Sequence, residues 1–174
     1  MTNSCGFFKK VLLVLVATCA LAGCRLTVSL TGSDIDARAK TVYVQTFRNN
    51  ATLVNPTLSH GFTNALKDRI QSQTPLTIID TQNGDYKLEG EITGYSINPV
   101  AIQGDETAAM NRLTITVNVR FTNTFDETKN FEQSFSRYVD YSSTQNFTSI
   151  ENSLVQNISD ALTEDIFNKA FVNW

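Results

Sequence analysis

Between Asn111 and Phe121 the side chains alternate without a break. Leu113, Ile115, Val117, Val119 and Phe121 are apolar; Arg112, Thr114, Thr116, Asn118 and Arg120 between them are polar. A period of two puts each set on its own face of an extended strand. A strand that is apolar on one side only requires a sheet with one covered face and one open face. This pattern constrains the fold more than any other stretch of the chain.

Other segments supply the rest of the sheet and its cover. Thr41 to Phe47 alternates β-branched and aromatic residues and reads as a strand. Leu76 to Asp80 is a short strand, and Asn83-Gly84 a turn. Tyr86, Leu88 and Ile92 alternate with Lys87, Glu89, Glu91 and Thr93. After a turn near Asp126 to Thr128, Phe131, Phe135 and Val139 alternate with Glu132, Ser134, Ser136 and Tyr138.

Two helices are punctuated in the sequence. Asn55 suits an N-cap and Pro56 a first helical position. Leu58, Phe62, Ala65, Leu66 and Ile70 form an apolar stripe at helical spacing, Lys67 and Arg69 sit late as partners for the helix dipole, and Pro75 stops it. Thr148 and Glu151 have capping-box spacing, and Ile150, Leu154, Ile158, Leu162 and Ile166 follow at intervals of four. The predicted class is a two-layer α+β domain. Two helices pack on one face of a four- to five-stranded mixed sheet, in the order β-α-β-β-β-α. The other face, rich in Thr, Ser, Asn, Glu and Arg, is open either to solvent or to a second polar surface.

The N-terminus bounds where such a domain works. Lys9 and Lys10 precede a short apolar run, Val11 to Leu21, which ends in Leu21-Ala22-Gly23-Cys24. Spanning a bilayer core of about 30 Å takes roughly 20 apolar residues, so the run has the length of a signal-peptide h-region. Small residues before a cysteine are the mark of a lipoprotein cleavage site. The reading is a cleaved signal peptide over residues 1–23, a lipidated tether over 24–40 and a folded domain over 41–174. Cys24 carries a diacylglycerol with palmitate-type chains. Two buried chains, at about 0.8 kcal/mol per CH₂, hold a protein stably to a membrane. Arg25 provides no acidic retention cue, which by analogy favours a periplasm-facing place on the outer membrane.

Processing changes the inventory. Cys5 and Cys19 leave with the signal and Cys24 is acylated, so the mature domain has neither a disulfide nor a free thiol. Loss of two lysines leaves 12 basic against 17 acidic residues, a formal charge of −5. Nucleic acid and polybasic membrane-surface binding both ask for the opposite sign.

Enzymatic chemistry finds little support. His60 is the single histidine, and no cysteine or second imidazole accompanies it as a metal site would need. No P-loop, nucleophile elbow or Rossmann fingerprint occurs. Glu89 and Glu91 share a strand face and could be an acid pair, though a solvated edge is the plainer reading. The chain is therefore read as a non-enzyme without metal or cofactor. A pocket gathering two or more of Glu89, Glu91, Asp140 and His60 would argue the other way.

One segment departs from a plain domain. Asn98 to Met110, with Pro99, Val100, Ile102, Asp105, Glu106 and Met110, is long and partly apolar for a connection between two strands. It is either a partner-contacting loop or an extension of the strands that folds back on the core.

Several stretches then carry a resemblance. Asn55-Pro56-Thr57-Leu58-Ser59 leading to Ala65-Leu66-Lys67-Asp68, and Glu89-Gly90-Glu91-Ile92-Thr93-Gly94-Tyr95-Ser96 with Pro99-Val100-Ala101, are similar to one branch of the LptE lipoproteins. Asp105 to Ala109 into Asn111 to Val117, Phe131 to Tyr138, and Asp165 to Ala170 resemble the same branch, in order, over nearly all of Lys40 to Trp174. The resemblance implies a fold of the order already read. It also implies a non-enzymatic role: plugging the LptD outer-membrane β-barrel at about 1:1, helping it assemble, and assisting lipopolysaccharide to the outer leaflet. Lipopolysaccharide phosphates prefer Arg or Lys. Arg112 and Arg120, with Thr114 and Thr116 on the same face, are the candidate lipopolysaccharide or barrel contacts. The alternative is a periplasmic lipoprotein that binds another envelope partner.

Overall fold

A computed structural model describes residues 34–53, 55–100 and 109–172, all within the unit Gly32–Trp174. The elements are β1 (Thr41–Val44), β2 (Arg48–Asn49), α1 (Leu58–Gln73), β3 (Thr77–Ile79), β4 (Tyr86–Val100), β5 (Met110–Asn123), a 3₁₀ turn (Glu127–Lys129), β6 (Phe131–Ser142) and α2 (Phe147–Phe171). The class is α+β as predicted. The strand count is six, and four strands lie between the helices rather than three.

The extra strand arises where the first one breaks. Thr41 to Phe47 stays in the sheet only to Val44, with Gln45 N still donating to Leu88 O at 2.9 Å. Phe47 then turns into the core, where its ring meets Phe62 edge-on at 5.2 Å. Its N–H donates to Thr63 Oγ1 (3.1 Å) and its carbonyl accepts from Ser59 Oγ (2.6 Å). Burying the ring is worth more than two further ladder bonds, which these side chains replace. The strand resumes as β2 beside β4.

The sheet order is β3-β1-β4-β5-β6, with β2 also on β4. β3 and β4 both run parallel to β1 on its two sides. The Asn83-Gly84 turn thus connects strands that do not pair with each other. β4, β5 and β6 form an antiparallel meander. Glycine is required at position 90 of β4. A Cβ there would lie 2.1 Å from Asn118 O and 2.7 Å from Phe47 Cε1.

The β5 alternation holds throughout: Leu113 to Phe121 at odd positions are buried. On β4 the phase changes once. Tyr86, Leu88 and Ile92 are buried at even positions, a register shift follows between Ile92 and Gly94, and Tyr95 is then buried at an odd one. The extra residue of a bulge turns every later side chain over. Ser96 and Asn98 thereby share the open face with Thr114 and Arg112.

Both helices cover the same face. Leu58, Phe62, Leu66 and Ile70 of α1 are buried, as are Leu154, Ile158, Leu162, Ile166, Phe167 and Phe171 of α2. Three local expectations shift. Asn55 does cap α1, its Oδ1 accepting from Thr57 N (2.9 Å) and Leu58 N (3.0 Å), but Pro56 and Thr57 form a turn ahead of the first helical residue. α1 runs a turn beyond Arg69 and has no basic residue in its last turn. Arg69 instead bonds α2, through Thr163 Oγ1 (3.2 Å) and Asp160 O (3.1 Å). At α2 the cap is Asn146, accepting from Thr148 N at 3.0 Å, and not Thr148.

Glu151 is free of a capping box because it is used elsewhere. One oxygen, Oε1, accepts from Tyr95 OH (2.6 Å) and Asn55 Nδ2 (2.7 Å). The three residues tie β4, the start of α1 and the first turns of α2 together.

Residues ahead of β1 also engage the domain. Asp34 N donates to Phe171 O (2.8 Å), Asp36 N donates to Tyr86 OH (3.0 Å), Lys129 pairs with Asp34, and Ala39 is buried. No helix among the described residues is long and apolar enough to cross a membrane.

Candidate functional site: the open face of the sheet

The face opposite the helices is laid out in cross-strand rows. Asn98, Arg112 and Asp140 form one, followed by Ser96, Thr114 and Tyr138; Gly94, Thr116 and Ser136; Glu91, Asn118 and Ser134; and Glu89, Arg120 and Glu132. The sequence-predicted residues Arg112, Thr114, Thr116 and Arg120 therefore do share one surface.

Each arginine has a carboxylate of its own. Arg112 makes a two-pronged bond to Asp140, Nε to Oδ1 at 2.7 Å and Nη2 to Oδ2 at 2.8 Å. Its guanidinium also lies 3.6 Å over the Tyr138 ring. Hydrogen bonding to Arg112 holds the Asp140 carboxyl below its ordinary range. Arg120 Nε donates to Glu132 Oε2 at 3.1 Å, and Asn118 Nδ2 to the other oxygen at 3.4 Å. Between the arginines, Thr116 and Ser136 share a hydroxyl bond of 3.0 Å. The surface is polar, nearly charge-balanced along β5 and β6, and rigid beneath, since every other residue of β5 is buried.

A groove of about 390 Å³ lies at one side of it, lined by Gln45, Glu89, Gly90, Glu91, Asn118, Arg120 and Glu132. Two of the four residues named as an enzymatic warning, Glu89 and Glu91, do meet here. Both are half-exposed, and Glu91 accepts from Asn50 Nδ2 at 2.6 Å. His60 is exposed on α1, and Asp140 is held by Arg112. Carboxylates divide into acid and base when their environments differ. These two stand in the same wet groove, with no buried member to separate them. Among the described residues no group of three or more His, Cys, Asp or Glu is placed to hold a metal ion.

The connection between β4 and β5 is shorter than predicted. Pro99 and Val100 end β4, Met110 begins β5, and Val100 pairs with Met110. Ile102, Asp105 and Glu106 lie outside the described residues, as do Cys24 and the signal segment. A larger groove of about 690 Å³ runs between α1 and α2. Its walls are exposed Asn64, Asp68, Gln73, Asn152, Gln156 and Asp160, with no aromatic platform.

The Asn55–Tyr95–Glu151 cluster was not foreseen. Tyr95 and Glu151 are 56 positions apart, and the β4 bulge that turns Tyr95 inward has no local signature. The only available signal was an N-cap asparagine whose amide end still needed an acceptor.

The model of the LptE family, described as lipopolysaccharide-assembly, matches residues 39–170. Among solved structures, a minor lipoprotein from Acinetobacter baumannii is similar at TM-score 0.51 and 14% identity, covering 75% of this chain and 91% of that one. A hypothetical protein from Chlamydia trachomatis follows at 0.50 and 10%, covering 75% and 95%. A putative neuraminyllactose-binding hemagglutinin homolog from Helicobacter pylori reaches 0.51 at 8%, covering 76% and 86%. At these identities the likeness is one of fold. No curated protein matches the chain.

Proposed function

The chain belongs to the LptE lipopolysaccharide-assembly family, and we propose from this that it is an outer-membrane lipoprotein, acylated at Cys24, that plugs and helps assemble an LptD-type barrel and so assists lipopolysaccharide to the outer leaflet. The observation that carries the reading is the open sheet face. The lumen of a large outer-membrane barrel is polar. A surface of hydroxyls, amides and internally paired arginines matches it without burying a bare charge, whose desolvation is the costliest part of such contacts. A barrel of the LptD type is the partner at about 1:1, and the role asks for no catalysis.

The paired state of Arg112 and Arg120 bears on lipopolysaccharide. A phosphate would have to share or displace Asp140 and Glu132 to reach either guanidinium. Contact with the barrel is accordingly the primary role of this face, and lipid contact a secondary one. The Pro99–Val100 and Met110 ends of the adjoining strands extend the same surface toward residues 101–108.

Purification of the lipidated protein from its own membranes in mild detergent tests the reading. The expected result is a near-equimolar large β-barrel, lost on Thr116→Arg, which sets a bulky cation in the centre of the face. Recovery of the protein alone, with the barrel present in the same extract, would sink the plug. A different envelope partner would then be sought.

A further inference from the structure

β6 is an edge strand of twelve residues. Its register with β5 continues from Phe131 to Ser142 with no bulge, and it contains no proline. Consecutive residues of a strand aim their backbone groups at opposite edges. Ser143 N donates to Ala109 O at 3.0 Å, in line with the ladder, so odd-numbered residues of β6 bond β5. The N–H groups of Glu132, Ser134, Ser136, Tyr138 and Asp140 point outward. Among the described residues only β5 pairs with this strand.

Edges of this kind are normally blunted by charges, prolines or bulges. The three charges here are each used inside the fold: Glu132 by Arg120, Arg137 by Asp165 (2.6 Å) and Asp140 by Arg112. None is left bare to repel an incoming strand. Tyr138, one of two exposed large apolar side chains among the described residues at 57%, also lies on β6.

We infer that β6 pairs antiparallel with β6 of a second copy of this chain, about a two-fold axis at Phe135. Outward-facing groups must meet outward-facing groups, so the axis falls at one whole residue. Centred on Ser136, the pairing sets Glu132 against Asp140. Centred on Arg137, it sets Arg137 against itself. Like charges directly opposite destabilise a sheet. Centred on Phe135, Phe131 meets the partner's Val139, Glu132 the partner's Tyr138, Gln133 the partner's Arg137 and Ser134 the partner's Ser136. No like charges face each other, and Tyr138 gains a neighbour. The pairing is isologous and closes as a dimer, using main-chain bonds as in strand addition.

Two measurements on full-length, membrane-expressed chains test this. Co-expressed S134C and S136C chains, carrying different tags, are oxidised in membranes and run without reductant. A mixed disulfide dimer is expected, absent from either variant alone and from the unsubstituted chain. In detergent, sedimentation should show a dimer whose association falls about ten-fold or more in S134K/S136K, equivalent to about 1.4 kcal/mol, and returns on mixing with S134E/S136E. Both positions are exposed, so the fold should survive. A chain monomeric at all concentrations would overturn the inference. So would a dimer indifferent to the lysines, which would use another surface. Loss of a co-purifying barrel from S134K/S136K in a monomeric chain would give the edge to that barrel instead, and would leave the open-face reading to its own Thr116→Arg test.

Discussion

Glu151 is the residue on which the most distant contacts converge. A carboxylate bonded by a phenol and an amide leaves both without an acceptor when removed, and orphaned polar groups cost about 1–3 kcal/mol. Glu151→Ala should therefore destabilise the domain by about that much, and Glu151→Gln, which keeps one acceptor oxygen, by about 1 kcal/mol or less. Urea denaturation at neutral pH measures both; equal losses would show that charge, not the bond, matters. Tyr95 adds a pH signature. Burial first, then the Glu151 hydrogen bond, raises its phenol above the ordinary value of 10.0. The folded state thus keeps a proton that the unfolded state sheds. The stabilisation is complete below pH 10.0 and falls as pH rises above it. Burial raises Tyr86 as well, so Tyr95→Phe should reduce the alkaline loss without abolishing it. An unchanged alkaline limb in Tyr95→Phe would contradict the assignment.

At the scale of elements, two glycines with opposite surroundings separate packing from backbone preference. Gly90 lies under Phe47 and against the carbonyl of Asn118, so Gly90→Ala must move β5 or expel the ring. Overpacking of this kind costs about 1–3 kcal/mol or more. Gly61 sits in α1 with nothing within 4 Å of the added Cβ. Gly61→Ala should stabilise by about 0.5–1 kcal/mol, the helix-interior difference between the two residues. Thermal melts of the pair should move in opposite directions. A stable Gly90→Ala would show that β4 and β5 separate more easily than their continuous register suggests.

At the scale of the molecule, the fold separates its jobs by face. The helices cover one side of the sheet, the polar rows occupy the other, and β6 ends it. Anchoring is assigned to a segment ahead of all these. Cys24→Ala should leave the precursor at its full mass, with its leader, and should abolish incorporation of labelled palmitate. Intact-mass measurement and metabolic labelling read both. Continued labelling would place the acyl chain on another residue.

Periodicity alone determined the covered and open faces, both helices, and the company of Arg112, Thr114, Thr116 and Arg120. These depend on spacing within one element, and an element's geometry is local. The leader and the absence of thiols in the mature chain were equally legible. Tertiary structure alone decided three other things. It decided that Phe47 leaves its strand, because the space beside Phe62 is formed by a later helix. It decided that Ser96 and Asn98 join the open face, because a bulge opposite β5 changes the phase of β4. It decided that the two arginines arrive already paired and that Glu151 serves Tyr95 rather than a cap. A side chain's partner is set by the energy of all the groups within its reach, and for these residues those groups come from distant parts of the chain.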